Sequence, residues 1–236
     1  MTFQNFQVLT FDVVGTLIDF ETGLLDAFRR IGGAAAAGLS DDDIFGPYLE
    51  GRDLHYGRSS EVMGAVYLHA ARKLGLPATA EAAEAFQFSV LGWPPFADSV
   101  EALARLRRHF RLVAMTNADS VALASYAHRL GSPFHDLISV DEAQYPKPDP
   151  RYFAYNLGRQ SAFGYRQHEI LHVAQSQHHD IGVAKELGYT VCWIERRADQ
   201  EGFGGTPVPK AMTVPDFHFP TLAALADAAE AERRPV

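Results

Sequence analysis

A chain of 236 residues, 47% hydrophobic and 21% charged, can bury a full core and fits one large domain or a core carrying an insertion. Its net charge of -8 disfavours nonspecific attraction to nucleic acid or anionic lipid, so neither nucleic acid nor membrane is an expected partner and a small molecule is. The single Cys192 excludes an internal disulfide, no segment approaches the roughly 20 apolar residues of a membrane helix, and the N-terminus lacks a basic signal region, which together make a cytoplasmic location the expectation.

Short β-branched and aromatic runs alternate with stretches of helical period, the pattern of βαβ units around a parallel sheet. The first predicted strand, "FQVLTFD", stops at Asp12 and opens into "VVGTL". From 20 to 95 the chain is rich in alanine and offers "ETGLLDAFRRI", "SSEVMGAVYLHAARKLG" and "TAEAAEAFQFSV" as helices, with no convincing strand. It reads as a helical cap inserted after the first strand and closed by "GWPPFADSV", leaving 1–19 and 96–236 as the core. Beyond it the strands "FRLVAMT", "DLISV", "EILHVA" and "YTVCWI" alternate with the helices "DSVEALARLRRH", "DSVALASYAHRL", "DPRYFAYNLGRQ" and "HHDIGVAKELG". Aspartate is a candidate N-cap for these helices. The end, "TLAALADAAEAERR", reads as a last surface helix.

In an open α/β sheet, residues just past the carboxyl ends of the strands face one crevice. Four stretches place polar residues there: Asp12, Gly15 and Thr16 after the first strand, Thr116 and Asn117 in "MTNAD", Lys147 in "YPKPDP", and Gln175, Ser176, His178, His179 and Asp180 in "VAQSQHHD". Each has a bland alternative. A strand-end aspartate before a glycine is ordinarily a turn or cap, Thr16 and Thr116 can cap helices, and Lys147 can be a loop lysine. Two buried acids, however, need a cation to stay ionised, which favours bringing Lys147 between Asp12 and Asp180. Neighbouring helical residues face different ways, so at most one of His178 and His179 enters the site, with His178 the first choice.

In the order and spacing of "FDVVGTL", "TN", "KPDP", "HHD" and "CWIERR", the chain resembles the haloacid dehalogenase superfamily of hydrolases. The resemblance implies an α/β fold, a Rossmann-like parallel sheet core with an inserted α-helical cap. It also implies an aspartate nucleophile at Asp12, hydroxyl and amide contacts from Thr16, Thr116 and Asn117 to the nucleophile or a substrate carboxylate, a charge-balancing Lys147, and Asp180 as base for a hydrolytic water.

Most members of that superfamily are magnesium phosphatases with Asp-x-Asp in the first motif and Gly-Asp-Ser-x-x-x-Asp in the fourth. Here Val14 and Gln175 stand at two of those acid positions. A valine offers no ligand and a glutamine no charge, so no metal and no cofactor are expected and phosphate chemistry is disfavoured. The branch resembled more closely, through "VGTL", "YPKPD" and "TVCWIERR", is the metal-free 2-haloacid dehalogenase group. There an aspartate displaces a leaving group from C2 of a small 2-substituted carboxylate, and water hydrolyses the resulting ester.

The match departs from that branch at Val14, where a tyrosine is usual, and in the cap, where Arg52 and Arg58 of "GRDLHYGR" give no clear counterpart to the branch's arginine. A related superfamily activity opens the ring of L-azetidine-2-carboxylate. Val14, the arginine mismatch and the polar "QSQHHD" tilt the expectation modestly toward a nitrogen leaving group, with halide nearly equal. Phe88, Leu91 and Trp93 are candidates for an apolar wall, although ordinary core is the commoner role of such residues. A phosphatase, or a binding protein that has lost catalysis, remains as an alternative. Exposed cap helices of this class could pair, which leaves a homodimer open.

Overall fold

The computed structural model describes residues 2–55 and 57–233. β1 (Val8–Phe11) is followed by four helices, α1 (Phe20–Gly32), α2 (Asp41–Leu54), α3 (Ser59–Leu74) and α4 (Ala80–Ser89). Then come α5 (Ser99–Leu106), β2 (Arg111–Met115), α6 (Ser120–Arg129), β3 (Asp136–Ile138), α7 (Val140–Ala143), α8 (Pro150–Ala162) and β4 (Ile170–Ala174). A π-helical turn, Gln177–Ile181, leads into α9 (Gly182–Glu186), and β5 (Thr190–Ile194), β6 (Phe217–Phe219) and α10 (Leu222–Arg233) complete the described chain. No described helix is long and apolar enough to cross a membrane.

All six strands are parallel, in the order β3-β2-β1-β4-β5-β6. The chain winds outward from β1 through β2 to β3, then returns to the other side of β1 and winds out through β4. This reversal puts the crevice of the sheet at the carboxyl end of β1. β1 and β4 are buried along their whole length, which is why they read as nearly unbroken apolar runs. Thr10 and His172 are the polar exceptions inside them.

The inserted helices leave and rejoin the core at one neck. Ile18 bridges both Val14 and Pro95, the Asp19 N–H donates to Pro94 O at 2.8 Å, and the Phe96 N–H donates to Leu17 O at 3.0 Å. Phe28, Tyr67 and Phe86 hold α1, α3 and α4 together, with ring centroids 4.8 to 5.2 Å apart. Each such buried ring stabilises the packed state by about 1.5–3 kcal/mol. The same apolar cluster runs on into Leu9, Phe11 and Leu171 of the sheet, so the insert shares its core with the sheet.

Helix starts follow the expected chemistry in part. Asp119 accepts from Ala122 N and Asp149 from Arg151 N, and Pro150 opens α8 where its missing N–H costs nothing. Asp98 makes no side-chain cap on α5. It accepts instead from Arg196 Nη1, at 2.9 and 3.0 Å, and from the Ala223 N–H. The run "DLISV" is a strand only to Ile138, because Ser139 turns out to cap α7, with Glu142 closing the capping box. The helix α2 and the strand β6 were not expected from the sequence.

Candidate active site

Asp12 is the first residue after β1, and its N–H donates to Val173 O of β4 at 3.0 Å. The chain then turns at Gly15, whose φ of +94° is open to glycine and strained for other residues. This turn brings Thr16 back under the aspartate. The Thr16 hydroxyl donates to Asp12 Oδ2 at 2.7 Å and accepts from the Gln175 N–H at 2.8 Å, tying the ends of β1 and β4 together.

Lys147 closes the group from the other side. Its ammonium donates to Asp12 Oδ1 and Asp180 Oδ1, each at 2.7 Å, and to Met115 O at 2.9 Å, which uses all three protons. Only 6% of Asp12, 2% of Lys147 and none of Asp180 is exposed, so these charges meet in a poorly solvated site. Asn117 fixes the lysine's backbone: its Nδ2 donates to Lys147 O at 2.8 Å and its Oδ1 accepts from the Lys147 N–H at 2.7 Å.

Burial sets the two carboxylates apart. It pushes Asp12 above the ordinary carboxylate range, and the neighbouring charge of Asp180 adds to this, against the pull of Lys147 and the Thr16 hydroxyl. Lys147 pulls Asp12 down, as expected of a cation set between two buried acids, but desolvation outweighs that pull. For Asp180 burial also pushes upward, but Lys147 and His172 more than offset it and hold the group down at about 2. Asp180 Oδ1 receives both Lys147 and His172 Nε2, the latter at 3.0 Å, while its buried Oδ2 has no partner among the described residues.

Asp12, Lys147 and Asp180 line a cavity of about 660 Å³ between the sheet and the inserted helices. Val14, Thr116, Asn117, Gln175 and Ser176 line it from the core. Arg52, Tyr48, Met63 and Trp93 line it from the insert. Arg52 is half-buried, donates from Nη1 to Met63 Sδ at 3.3 Å, and forms no salt bridge among the described residues. Trp93 is buried and its indole N–H has no partner.

The structure brings most of the expected residues together but alters several roles. Thr16 is fully buried and absent from the cavity lining, and its hydroxyl is turned to Asp12. His179, not His178, lines the cavity. The π-helical turn after Ser176 sets the two rings at 88° to each other, and the Ser176 hydroxyl holds the His179 N–H at 2.9 Å. Burial holds His179 down at about 4, which makes it neutral near pH 7. Arg58 also lines the cavity, but it is half-exposed and already pairs with Asp141 and Glu61. Phe88 is 64% exposed and Leu91 also lies off the cavity, so of that apolar trio only Trp93 forms wall. The residues missed were Tyr48 and Met63 of the insert, and Thr10 and His172 behind Asp180. A polar side chain within an otherwise apolar strand was the available signal for the last two.

The donors suit a divalent metal poorly. Val14 and Gln175 stand where carboxylates would be needed, both remaining acids already share the Lys147 ammonium, and no cluster of three or more His, Cys, Asp or Glu among the described residues is arranged to hold an ion.

A buried strand-end carboxylate is thus bridged by lysine to a second carboxylate at the switch point of a parallel sheet, where open α/β enzymes place their ligands. Residues 6–188 match the haloacid dehalogenase-like hydrolases, and the chain belongs to that family. It is 37% identical over 134 residues to haloacetate dehalogenase H-2 of Moraxella sp. (strain B), a match covering 56% of this chain and 55% of that relative, so the chain spans about half the length of that protein in the match. It is 28% identical to the (S)-2-haloacid dehalogenase of Pseudomonas sp. (strain YL), covering 84% of this chain and 87% of the relative. The L-2-haloacid dehalogenase of Xanthobacter autotrophicus shares the fold, with a TM-score of 0.75 at 22% identity over 96% of this chain and 99% of that one. The structure of the same enzyme with chloropropionic acid covalently bound gives 0.73 at 19% identity, over 95% and 98% of the two chains.

Proposed function

We propose that this chain hydrolyses small 2-haloalkanoic acids through a covalent ester on Asp12. The observation that carries the reading is Asp12 itself: a nearly dry carboxylate, held by Thr16 and Lys147 at the floor of a cavity whose cap side presents the unpaired cation Arg52. Arg52 would receive the substrate carboxylate or the departing halide, both anionic. Asp12 attacks C2, the carbon–halogen bond breaks, and halide leaves with the bonding pair. Forming the ester removes the charge of Asp12, and Lys147 then faces Asp180 alone. Water activated by Asp180 attacks the ester carbonyl and releases a 2-hydroxy acid. A single displacement at C2 inverts that centre, because the second step occurs on the aspartyl carbon.

The anionic pairing available at Arg52 supports halide over a ring nitrogen. An amine leaves either with a proton it brought in as an ammonium or with one taken from a neighbour, and His179, the histidine on the cavity, is held neutral by burial and supplies none. The names of the Moraxella and Pseudomonas relatives support the same choice.

The test is a panel of 2-chloropropionate, azetidine-2-carboxylate and an aryl phosphate, followed by a single turnover in heavy-oxygen water with enzyme in excess. Turnover of the haloacid with label in the Asp12 carboxylate is expected, and Asp12→Asn should abolish it while the fold survives. Azetidine-2-carboxylate turned over in place of the haloacid would move the leaving group to nitrogen. Efficient phosphate hydrolysis, or label in the product alone, would sink the reading.

A further inference from the structure

A hydroxyl–imidazole pair stands behind Asp180. Thr10 of β1 and His172 of β4 are register partners across the sheet, and neither is exposed at all. Thr10 Oγ1 lies 2.9 Å from His172 Nδ1, and His172 Nε2 lies 3.0 Å from Asp180 Oδ1. Phe153 packs against the ring at 80°, centroids 5.3 Å apart, which restrains its plane. An apolar side chain in this position of a buried strand would carry no desolvation cost, whereas a histidine must have both nitrogens satisfied. Here both are, and the chain of contacts ends on Asp180. An ionised carboxylate only accepts hydrogen bonds, so Nε2 carries the proton. In a neutral ring Nδ1 is then an acceptor, and the Thr10 hydroxyl is its donor.

We infer that Thr10 and His172 are positioning residues for the second half of the reaction: Thr10 fixes the Nε2–H tautomer of His172, which with Lys147 saturates Asp180 Oδ1 and leaves Oδ2 to take a proton from water. The inference rests on the reading of Asp180 as the base. In that step a water O–H bond breaks, the proton goes to Asp180 Oδ2, and the water oxygen bonds to the ester carbonyl carbon of Asp12. Collapse breaks the bond from that carbon to the substrate oxygen, which leaves as an alcohol with the proton from Asp180. Asp12 then loses its remaining proton to solvent. The unpartnered state of Oδ2, beside an Oδ1 with two donors, is the asymmetry this role requires.

Two variants and two readouts test it. Thr10→Val keeps the side-chain shape and removes the hydroxyl; His172→Phe removes the donor to Asp180 and identifies the His172 resonances. Imidazole ¹⁵N NMR of the wild-type protein should show His172 as the Nε2–H tautomer, and Thr10→Val should mix the tautomers. With 2-chloropropionate, both variants should release the first equivalent of halide at the wild-type rate and then turn over more slowly, His172→Phe by at least about tenfold, the effect of losing one hydrogen bond to a charged group, and Thr10→Val by less, because the bond it loses joins two neutral groups. The ester should accumulate in intact-protein mass spectra, with kcat and KM falling together and kcat/KM unchanged. An Nδ1–H or doubly protonated His172, or a fall in kcat/KM matching that in kcat without ester, overturns the inference. A wild-type protein inert to haloacids defeats the parent reading instead, and the NMR spectrum, which needs no substrate, tells the two failures apart.

Discussion

The floor of the cavity and its cap-side wall are built on opposite terms. On the floor nearly every polar atom is committed: Lys147 spends three protons, Thr16 both donates and accepts, and Asn117 clamps the lysine's backbone. On the wall Arg52 touches only a methionine sulfur, and the Trp93 indole N–H touches nothing polar among the described residues. Groups that must hold a fixed geometry for chemistry are oriented before any ligand arrives. The wall groups have donors left over, which suits recognition of an anion. Among the described residues Asp180 Oδ2 is a buried floor oxygen without a partner.

The contrast can be broken most forcefully at Lys147. Lys147→Met leaves two buried carboxylates without their cation, and removing one partner of a buried ion pair costs about 3–5 kcal/mol. Urea unfolding should show the loss as a lower midpoint. Asp12 acts as a carboxylate and is already raised by burial and by Asp180, so deleting the opposing Lys147 raises it further. The acid limb of kcat should therefore move to higher pH, with rate lost sooner as pH falls. A lysine that served packing alone would leave that limb in place.

Arg52→Gln probes the wall and should have a smaller effect, of a different kind. KM should rise about tenfold, some 1.4 kcal/mol of lost binding, with kcat little changed. Stability should stay within about 0.5 kcal/mol, since no salt bridge is lost. Equal losses of stability and binding would assign Arg52 to the fold and erase the distinction between wall and floor. The smallest effect is expected at Arg58, half-exposed and paired with Asp141 and Glu61. Arg58→Ala should move the thermal midpoint only slightly, and added salt should shrink the difference from wild type.

The floor was more legible in the sequence than the wall. Strands buried on both faces leave unbroken apolar runs, and the turn after each is where a polar residue has to be explained, so Asp12, Lys147 and Asp180 stood out before any coordinates. The helix α2 was hidden by Gly46, Pro47 and Gly51, which weaken a helical reading that burial of Ile44, Phe45 and Tyr48 overrides. Losing α2 meant losing the setting of Arg52, since a lone arginine acquires a role only from the cavity it faces. β6 is three residues long and half-buried, too short for a pattern. The histidines were misassigned because an α-helical period was assumed where the chain makes a π turn.

The place of the insert bears on how the molecule assembles. Val8 of β1 can meet Arg111 only when the whole helical segment has been looped out, and its other partner, Ile170, lies farther still along the chain. Leu171 and Thr190, in contrast, pair across a single short crossover. Loop closure costs more with length, and pairing of distant strands is slow. Pulse-labelled amide exchange during refolding should therefore show β4 and β5 protected before β1, and simultaneous protection would contradict this order. In a chain caught before that docking, Asp12 is an ordinary hydrated acid, with Thr16 beside it but Lys147 still far along the chain. The buried, lysine-bridged setting of Asp12 would then exist only once β1 has joined β2 and β4.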